Sequence, residues 1–268
     1  TDFSIKTATV SPIVYLQGAG INPYTGEEQL MRDDLRRNNL LPTTSPYQDA
    51  ITCEATVFNA TGAENNDIVD WIYIELRDAS DNTQVKYGRS ALLQRDGDVV
   101  DTDGVSTAVK LNVPPAEYYV AIRHRNHLGI MTTNAISMSF ETIVFLDFTD
   151  ANNQITFGSN AQTTFGMPAN IVALWSGDVN ADKMLQYLGA SPDTPSILST
   201  VLNDVGNSLY FPPFTVSGYN NNDVDLNGET QYSGTTPDTP FILQNVLSHS
   251  GNFLNLSTHL IQEQIPEN

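Results

Sequence analysis

"IVDWIYIELRD", residues 68–78, is a run without glycine or proline in which β-branched and aromatic side chains dominate. That composition favours a strand over a helix. Val69, Trp71, Tyr73 and Glu75 fall on one side, with Ile68, Ile72, Ile74 and Leu76 at nearby alternate positions. Outward from it lie further short segments between turn signals: "TCEATVFNA" before, then "TQVKYGRSALLQR", "STAVKLNV", "EYYVAIRHR", "NAISMSF" and "TIVFLDF". Pro114-Pro115 bar a ladder and then feed the strand in which Tyr118, Val120 and Ile122 alternate with Tyr119, Ala121 and Arg123. About seven strands over roughly a hundred residues predict a mainly β fold, an antiparallel β-sandwich of immunoglobulin-like size. The expected organisation is a strand-and-loop segment over 1–48 belonging to the sandwich, the sandwich proper over 49–149, and a different unit over 150–268. Within the first, Thr9 to Leu16 reads as strand and Met31–Arg37 as a short helix limited by Pro42 and Pro46.

The 268 residues carry 12 basic and 31 acidic side chains, a net charge of −19. That balance argues against nucleic acid and anionic membrane surfaces and suits cations. No apolar run approaches a membrane span, so no membrane insertion is expected. The chain starts at Thr1 without a charged-then-apolar leader, which predicts an export signal removed or never attached. Cys53 is the only cysteine, which excludes a disulfide framework and a thiolate metal site; it reads as a small buried hydrophobe in a strand. Eleven of the twelve basic residues lie at or before Arg125, so the C-terminal half is almost purely anionic.

That half contains a repeat. "WSGDVNADKMLQYLGASPDTPSIL" (175–198) superposes without a gap on residues 220–243 of "YNNNDVDLNGETQYSGTTPDTPFIL" (219–243), at an offset of 45. Each copy ends in a predicted short helix, Thr194–Leu202 and Thr239–Leu247, with threonine as N-cap and proline at the first turn. Ile197, Leu198, Val201 and Leu202 share a face, as do Ile242, Leu243, Val246 and Leu247, and helices this short must pack, most simply on each other. Before each helix, oxygen-bearing side chains alternate: Asp178, Asn180 and Asp182, then Asp223, Asp225 and Asn227. Side-chain oxygens at loop positions 1, 3 and 5 and a carbonyl at 7, here Met184 and Glu229, are how a chain wraps Ca²⁺. Asp193 and Asp238, at position 16, are expected to close each sphere. The bland alternative is a pair of Asx-rich turns that bind nothing. The first loop is the weaker candidate, because Lys183 stands where the second has Gly228.

This duplicated loop-and-helix pattern resembles the dockerin modules of secreted bacterial proteins, over about 175–248. It departs from them in placing the last acidic ligand at 16 rather than near 12, so "QYLGASP" and "QYSGTTP" are expected to bulge out. More widely, "VYLQGAG", "MRDDLRRNNLLPTTSPY", "DIVDWIYIELRD", "ALLQRDGDVVDTDG", "YYVAIRHRNHLGIM" and "WSGDVNADK" resemble a C-terminal region of large surface and secreted, adhesin-type proteins of gliding and polymer-degrading, Bacteroidota-like bacteria. The resemblance implies a secreted or cell-surface module that uses calcium, is not an enzyme, and is attached to adhesins or hydrolases.

Other candidates are weighed on their residues. Asp96, Asp98, Asp101 and Asp103 could hold a further ion or could build turns with Gly97 and Gly104. In "RHRNH" (123–127), His124 and His127 fall on opposite faces if extended, with no third ligand nearby, so a structural role is expected. Arg123 and Arg125 are candidates to pair with the 94–104 loop. No nucleophile elbow, phosphate loop or dinucleotide fingerprint is present. The expected function is a structural or adhesive extracellular module, self-associating into a homo-oligomer or filament or packing on domains of a parent protein. The end segments "TDFSIKTATV" and "STHLIQEQIPEN" are candidates for being held by a neighbour through an added strand. The alternative is a carbohydrate- or protein-binding module, with Trp71, Trp175 and the tyrosines Tyr118, Tyr119, Tyr187, Tyr210, Tyr219 and Tyr232 stacking on a surface glycan.

Overall fold

The computed structural model describes residues 7–140 and 142–267. In chain order come β1 (Ala8–Ile13), α1 (Gln17–Gly20), α2 (Asp34–Arg37), β2 (Ile68–Asp78), β3 (Val85–Gln94), β4 (Val99–Val100), β5 (Val109–Leu111), β6 (Ala116–His124), β7 (His127–Met131), β8 (Ile136–Met138) and β9 (Ile143–Asp147). The second half adds β10 (Gln162–Thr163), β11 (Ala173–Leu174), β12 (Met184–Leu185), α3 (Thr194–Asn203), β13 (Thr215–Ser217), β14 (Glu229–Gln231), α4 (Thr239–Ser248) and β15 (Ile261–Gln262).

The chain is mainly β. One sheet runs β4-β3-β2-β6-β7, with β8 pairing the start of β6, and a second runs β5-β1-β9. Both contribute to one apolar core, including Val10 and Leu146 from the small sheet and Ile72, Leu92 and Val120 from the large one. Each such side chain contributes about 1.5–3 kcal/mol when fully buried. The arrangement is consistent with a β-sandwich, and β1 makes the N-terminal segment part of it. The pairing is not wholly antiparallel, because β1 and β9 run parallel from Thr9↔Ile143 to Ile13↔Asp147.

The central strand β2 is buried on both sides, all but its last residue. Its Ile72-Ile74-Leu76 side faces the common core. Its Tyr73-Glu75-Arg77 side is covered by a loop and by the chain's own C-terminal end. Tyr47 stacks on Tyr73 at 5.3 Å, Arg77 Nη1 donates to the Pro266 carbonyl at 2.7 Å, and Arg123 bridges Glu75, Glu263 and Glu267 at 2.7–2.8 Å.

One local expectation fails. "TCEATVFNA" is no strand: residues 55–58 form a turn of 3₁₀ helix, and Cys53 is half-buried outside any strand. Only Thr52 reaches a ladder, at Thr44. Thr1–Lys6 lie outside the described residues, and the C-terminal segment is held within its own chain, by β12 through β15 and by Arg77 and Arg123. Among the described residues no helix is long and apolar enough to cross a membrane.

The second half packs directly on the sheet. Leu128 of β7 shares a core with Trp175, Val179, Leu185, Ile197, Val224, Ile242 and Ile261, and the Leu128 N–H donates to the Trp175 carbonyl at 2.9 Å. α3 and α4 both contribute to this core and touch each other, while α3 also packs on β13 and β14.

Candidate metal centre

Position by position, the two loops are the same object. Asp223 accepts from the N–H groups of Asn227 (3.0 Å) and Gly228 (2.8 Å), and Asp178 accepts from Asp182 and Lys183 (3.1 Å each). At position 5, Asn227 Oδ1 accepts from Glu229 N–H at 2.7 Å, as Asp182 Oδ1 does from Met184 at 3.0 Å. Position 16 spans each loop. Asp238 Oδ1 and Oδ2 take the N–H groups of Val224 (2.6 Å) and Gln231 (2.8 Å), and Asp193 takes those of Val179 (3.1 Å) and Gln186 (2.9 Å). An ionised carboxylate has about four acceptor sites, so both of these still face the loop interior with lone pairs to spare.

The helix starts are built differently from the expectation. Asp193 and Asp238, not the threonines, occupy the N-cap positions, yet neither caps its helix with its side chain, because both carboxylates turn back into the loop. Thr194 and Thr239 instead donate to the carbonyls of Tyr187 (3.3 Å) and Tyr232 (2.9 Å).

The extra residues before position 16 bulge outward as expected, with residues 188–190 and 234–236 exposed, and a glutamine brackets each bulge at its base. Gln186 Oε1 accepts from Ser191 N–H at 3.0 Å and Gln231 Oε1 from Thr236 N–H at 2.9 Å, each amide lying over a glycine. A Cβ on Gly189 or Gly234 would meet that amide at 2.4 or 2.6 Å. This bracket carries an aspartate four places further along the chain to the place where it can close the loop.

Positions 4 and 6 are left-handed in both copies: Ala181 (φ 59) and Lys183 (φ 66), Leu226 (φ 58) and Gly228 (φ 88). A side chain in that region costs about 1 kcal/mol. Lys183→Gly is therefore expected to stabilise the protein by about 1 kcal/mol in chemical denaturation. The Lys183–Glu267 pair it removes is exposed and offsets little of the gain.

Asp223, Asp225 and Asp238 each present a carboxylate oxygen within 4.8 Å of the others, all three buried. Asp225 Oδ1 is buried without a hydrogen-bond partner. Its Oδ2 lies 3.8 Å from Arg32 Nη2, which also donates to the Asp225 carbonyl. In the first loop the third acid, Asp182, stands at position 5, and Asn180 at position 3 donates to it at 3.2 Å. Met184 and Glu229 open β12 and β14 at matching places.

Burial, reinforced by Asp225, drives Asp223 far above the usual carboxylate range, and burial with Asp223 does the same to Asp238; burial also raises Asp225. In the first loop burial and Asp182 push Asp178 to about 7, while burial and Asp178 push Asp193 to about 8. Such groups suit a bound cation, which would stabilise their ionised forms. A folded-state pKa above the unfolded one means the folded protein holds more protons in the window between them, so stability falls as pH rises. In chelator, the melting temperature is expected to fall from about pH 4 to about pH 8, and millimolar calcium should flatten the upper half of that slope.

The second loop is anchored to the sheet by a buried polar cluster. Asp70 accepts from Tyr219 Oη (2.6 Å), Trp71 N–H (2.7 Å) and Arg125 Nε (3.1 Å), and pairs with His124 Nε2 (3.1 Å). Burial alone would raise Asp70, but Arg125 and these hydrogen bonds outweigh it and hold it at about 2. Arg125 also stacks on Tyr219 at 4.4 Å and donates to the Asn220 carbonyl, and Asn126 Nδ2 donates to the carbonyls of Asn221 (3.0 Å) and Asp223 (2.6 Å). Arg125 and Asn126 form the turn between β6 and β7, which brings the His124 and His127 rings together edge to face with their Nδ1 atoms 2.9 Å apart, not onto opposite faces. Gly18 N–H donates to His127 Nε2 at 3.1 Å, so that nitrogen carries no proton. Both histidines are buried, and burial depresses both.

The 94–104 aspartates make turns and an ion pair. Asp96 accepts from Asp98 N–H at 3.2 Å, Asp103 from Val105 and Ser106, and Asp101 is bound by Arg89. Arg123 and Arg125 do not pair with this loop. Of the aromatic candidates, Trp71 and Trp175 are buried, Tyr187 and Tyr232 pack the repeat, and Tyr210 is exposed.

The repeat also runs further than the loop and helix. Asn207 and Asn252 each bracket the turn after their helix: Nδ2 donates to the carbonyls of Val201 and Val246 (2.8 Å each) and of Phe211 and Leu256 (3.0 and 2.9 Å). "GNSL" (206–209) and "GNFL" (251–254), at the same offset of 45, are the signal that extends it. No protein-family model, curated protein or solved structure matches this chain.

Proposed function

We propose that the chain is a non-enzymatic extracellular module with a structural or adhesive role, stiffened by Ca²⁺ in both repeat loops. The observation that carries this reading is the second loop's buried carboxylate triad, with Asp225 Oδ1 unpaired, on a scaffold whose hydrogen bonds at positions 1, 5 and 16 recur in the first loop. Oxygen donors without cysteine or histidine select a hard cation, and several protein oxygens converging in one loop suit calcium, with its about six to eight oxygen ligands, over magnesium, which keeps several of its waters. Extracellular modules hold calcium at about 10⁻⁴–10⁻³ M, and we assign these loops to that range. The likeness to dockerin modules and to surface-protein C-terminal regions points the same way. Self-association is part of this proposal. It is supported by β9, whose only ladder partner among the described strands is β1 and which exposes Ile143 and Phe145 (76 % exposed).

The test is thermal melting during a calcium titration, with chelator as the reference. A melting temperature that rises with calcium and saturates supports the reading, and curves that superimpose in calcium, magnesium and chelator overturn it. For self-association, light scattering in calcium is expected to show mass growing with concentration; a dilution-insensitive monomer removes that part alone.

A further inference from the structure

The strands that follow the two helices are exchanged between the repeats. β14, which opens at loop position 7 of the second copy, pairs with β13, the strand after the helix of the first: Glu229↔Ser217, Val216↔Thr230 and Thr215↔Gln231. β12, at the same place in the first copy, pairs with β15, the strand after the helix of the second: Met184↔Gln262 and Leu185↔Ile261. The correspondence extends to single bonds. Gly218 N–H donates to the Gly228 carbonyl at 3.0 Å, and Glu263 N–H donates to the Lys183 carbonyl at 2.9 Å, both at loop position 6. Gln231 Nε2 donates to the Pro213 carbonyl and Gln186 Nε2 to the Thr258 carbonyl, each at 3.0 Å.

Each loop is thus bounded by the other repeat. The strand that braces positions 6 and 7 of one loop leads back along the chain to the helix whose N-cap position is the position-16 aspartate of the other. Fixing Asp238 against an ion fixes α4 and β15, and β15 holds β12 of the first loop; Asp193, α3 and β13 do the same for the second. The helices meet in one core through Ile197 and Ile242, so neither half of this closed pair settles alone.

Building on the calcium reading, we infer that the two sites fill cooperatively, each ion raising the affinity of the other site through the exchanged strands. Binding linkage requires the coupling to be reciprocal.

Native mass spectrometry of the whole chain during a calcium titration reads the species directly. The singly loaded form should stay minor at half-saturation, where independent equal sites would leave about half of the molecules in that form. Asp178→Asn should weaken calcium at the second site, and Asp223→Asn should weaken it at the first, by the same factor of roughly fivefold or more in calorimetry. Hydrogen exchange tests the route. Calcium bound at the second site alone, in the Asp178→Asn chain, should slow exchange at Ile261 and Glu263, which pair with the first loop. An ion that binds the remaining site with unchanged affinity in each single-site variant, or protection confined to the loaded loop, overturns the coupling while leaving the calcium sites standing. A chain that takes up no calcium at all overturns the sites themselves.

Discussion

Asp238→Ala removes most of the second site's calcium stabilisation while costing little in chelator. The asymmetry follows from the charge state of the loop. Without an ion, Asp238 is a buried acid held far above its ordinary pKa by burial and by Asp223, so its removal relieves an unfavourable carboxylate while losing acceptors for Val224 and Gln231 N–H. These effects oppose each other at about 1 kcal/mol per hydrogen bond. With calcium at a hundredfold excess over the dissociation constant, a filled site contributes about 2.7 kcal/mol, and that gain disappears with the ligand. Asp223→Ala should behave alike. Asp178→Ala should lose less, since its loop strains a lysine at position 6. Denaturation midpoints measured pairwise in calcium and in chelator give the difference directly.

Asp70→Ala destabilises the protein by about 3–5 kcal/mol in chelator, the range for removing one partner of a buried ion pair, and by at least as much in calcium. Arg125 is nearly inaccessible and has Asp70 as its carboxylate partner. Its Nη2 already lacks a hydrogen bond, so nothing is at hand to compensate. Tyr219 and His124 lose a partner in the same step. Because Arg125 and Asn126 also hold the carbonyls of residues 220, 221 and 223, the variant should weaken calcium binding at the second loop as well. Asp70→Asn keeps the shape and should fall between wild type and alanine. A cost below about 1 kcal/mol for alanine would mean the cluster is not the anchor described here.

The strands that could be read in advance are those with strong local chemistry. β2 runs over the residues marked out by its β-branched and aromatic content, β3 and β9 lie within their predicted segments, and β6 begins one residue before its own. β7, "HLGIM", escaped because a strand buried at every position shows no alternation, and glycine in its middle reads as a break. The histidine pair was misplaced for a related reason. Arg125-Asn126 lacks the Asn-Gly or Asp-Gly signature of a tight hairpin, so the segment reads as one extended strand when it is two.

The site divides the same way. Alternating oxygens, the matching aspartates and the short helices are local and therefore legible, and the helices end within a residue of expectation. The roles of Gln186, Gln231, Gly189 and Gly234 were not, because nothing in isolation says that an amide folds over a glycine to bring position 16 home. Least legible were the exchanged strands and the Asp70 cluster. These join residues far apart in the chain, such as Asp70 with Tyr219 and Met184 with Gln262.

The account stands or falls on ions in the loops. Crystals grown in millimolar calcium and measured at long wavelength would settle it through the anomalous map. The expected result is two peaks, a stronger one among Asp223, Asp225, Asn227 and Asp238 and a second among Asp178, Asn180, Asp182 and Asp193, each with oxygen contacts of about 2.3–2.6 Å. A map with ordered loops and no anomalous peak at either place would contradict it.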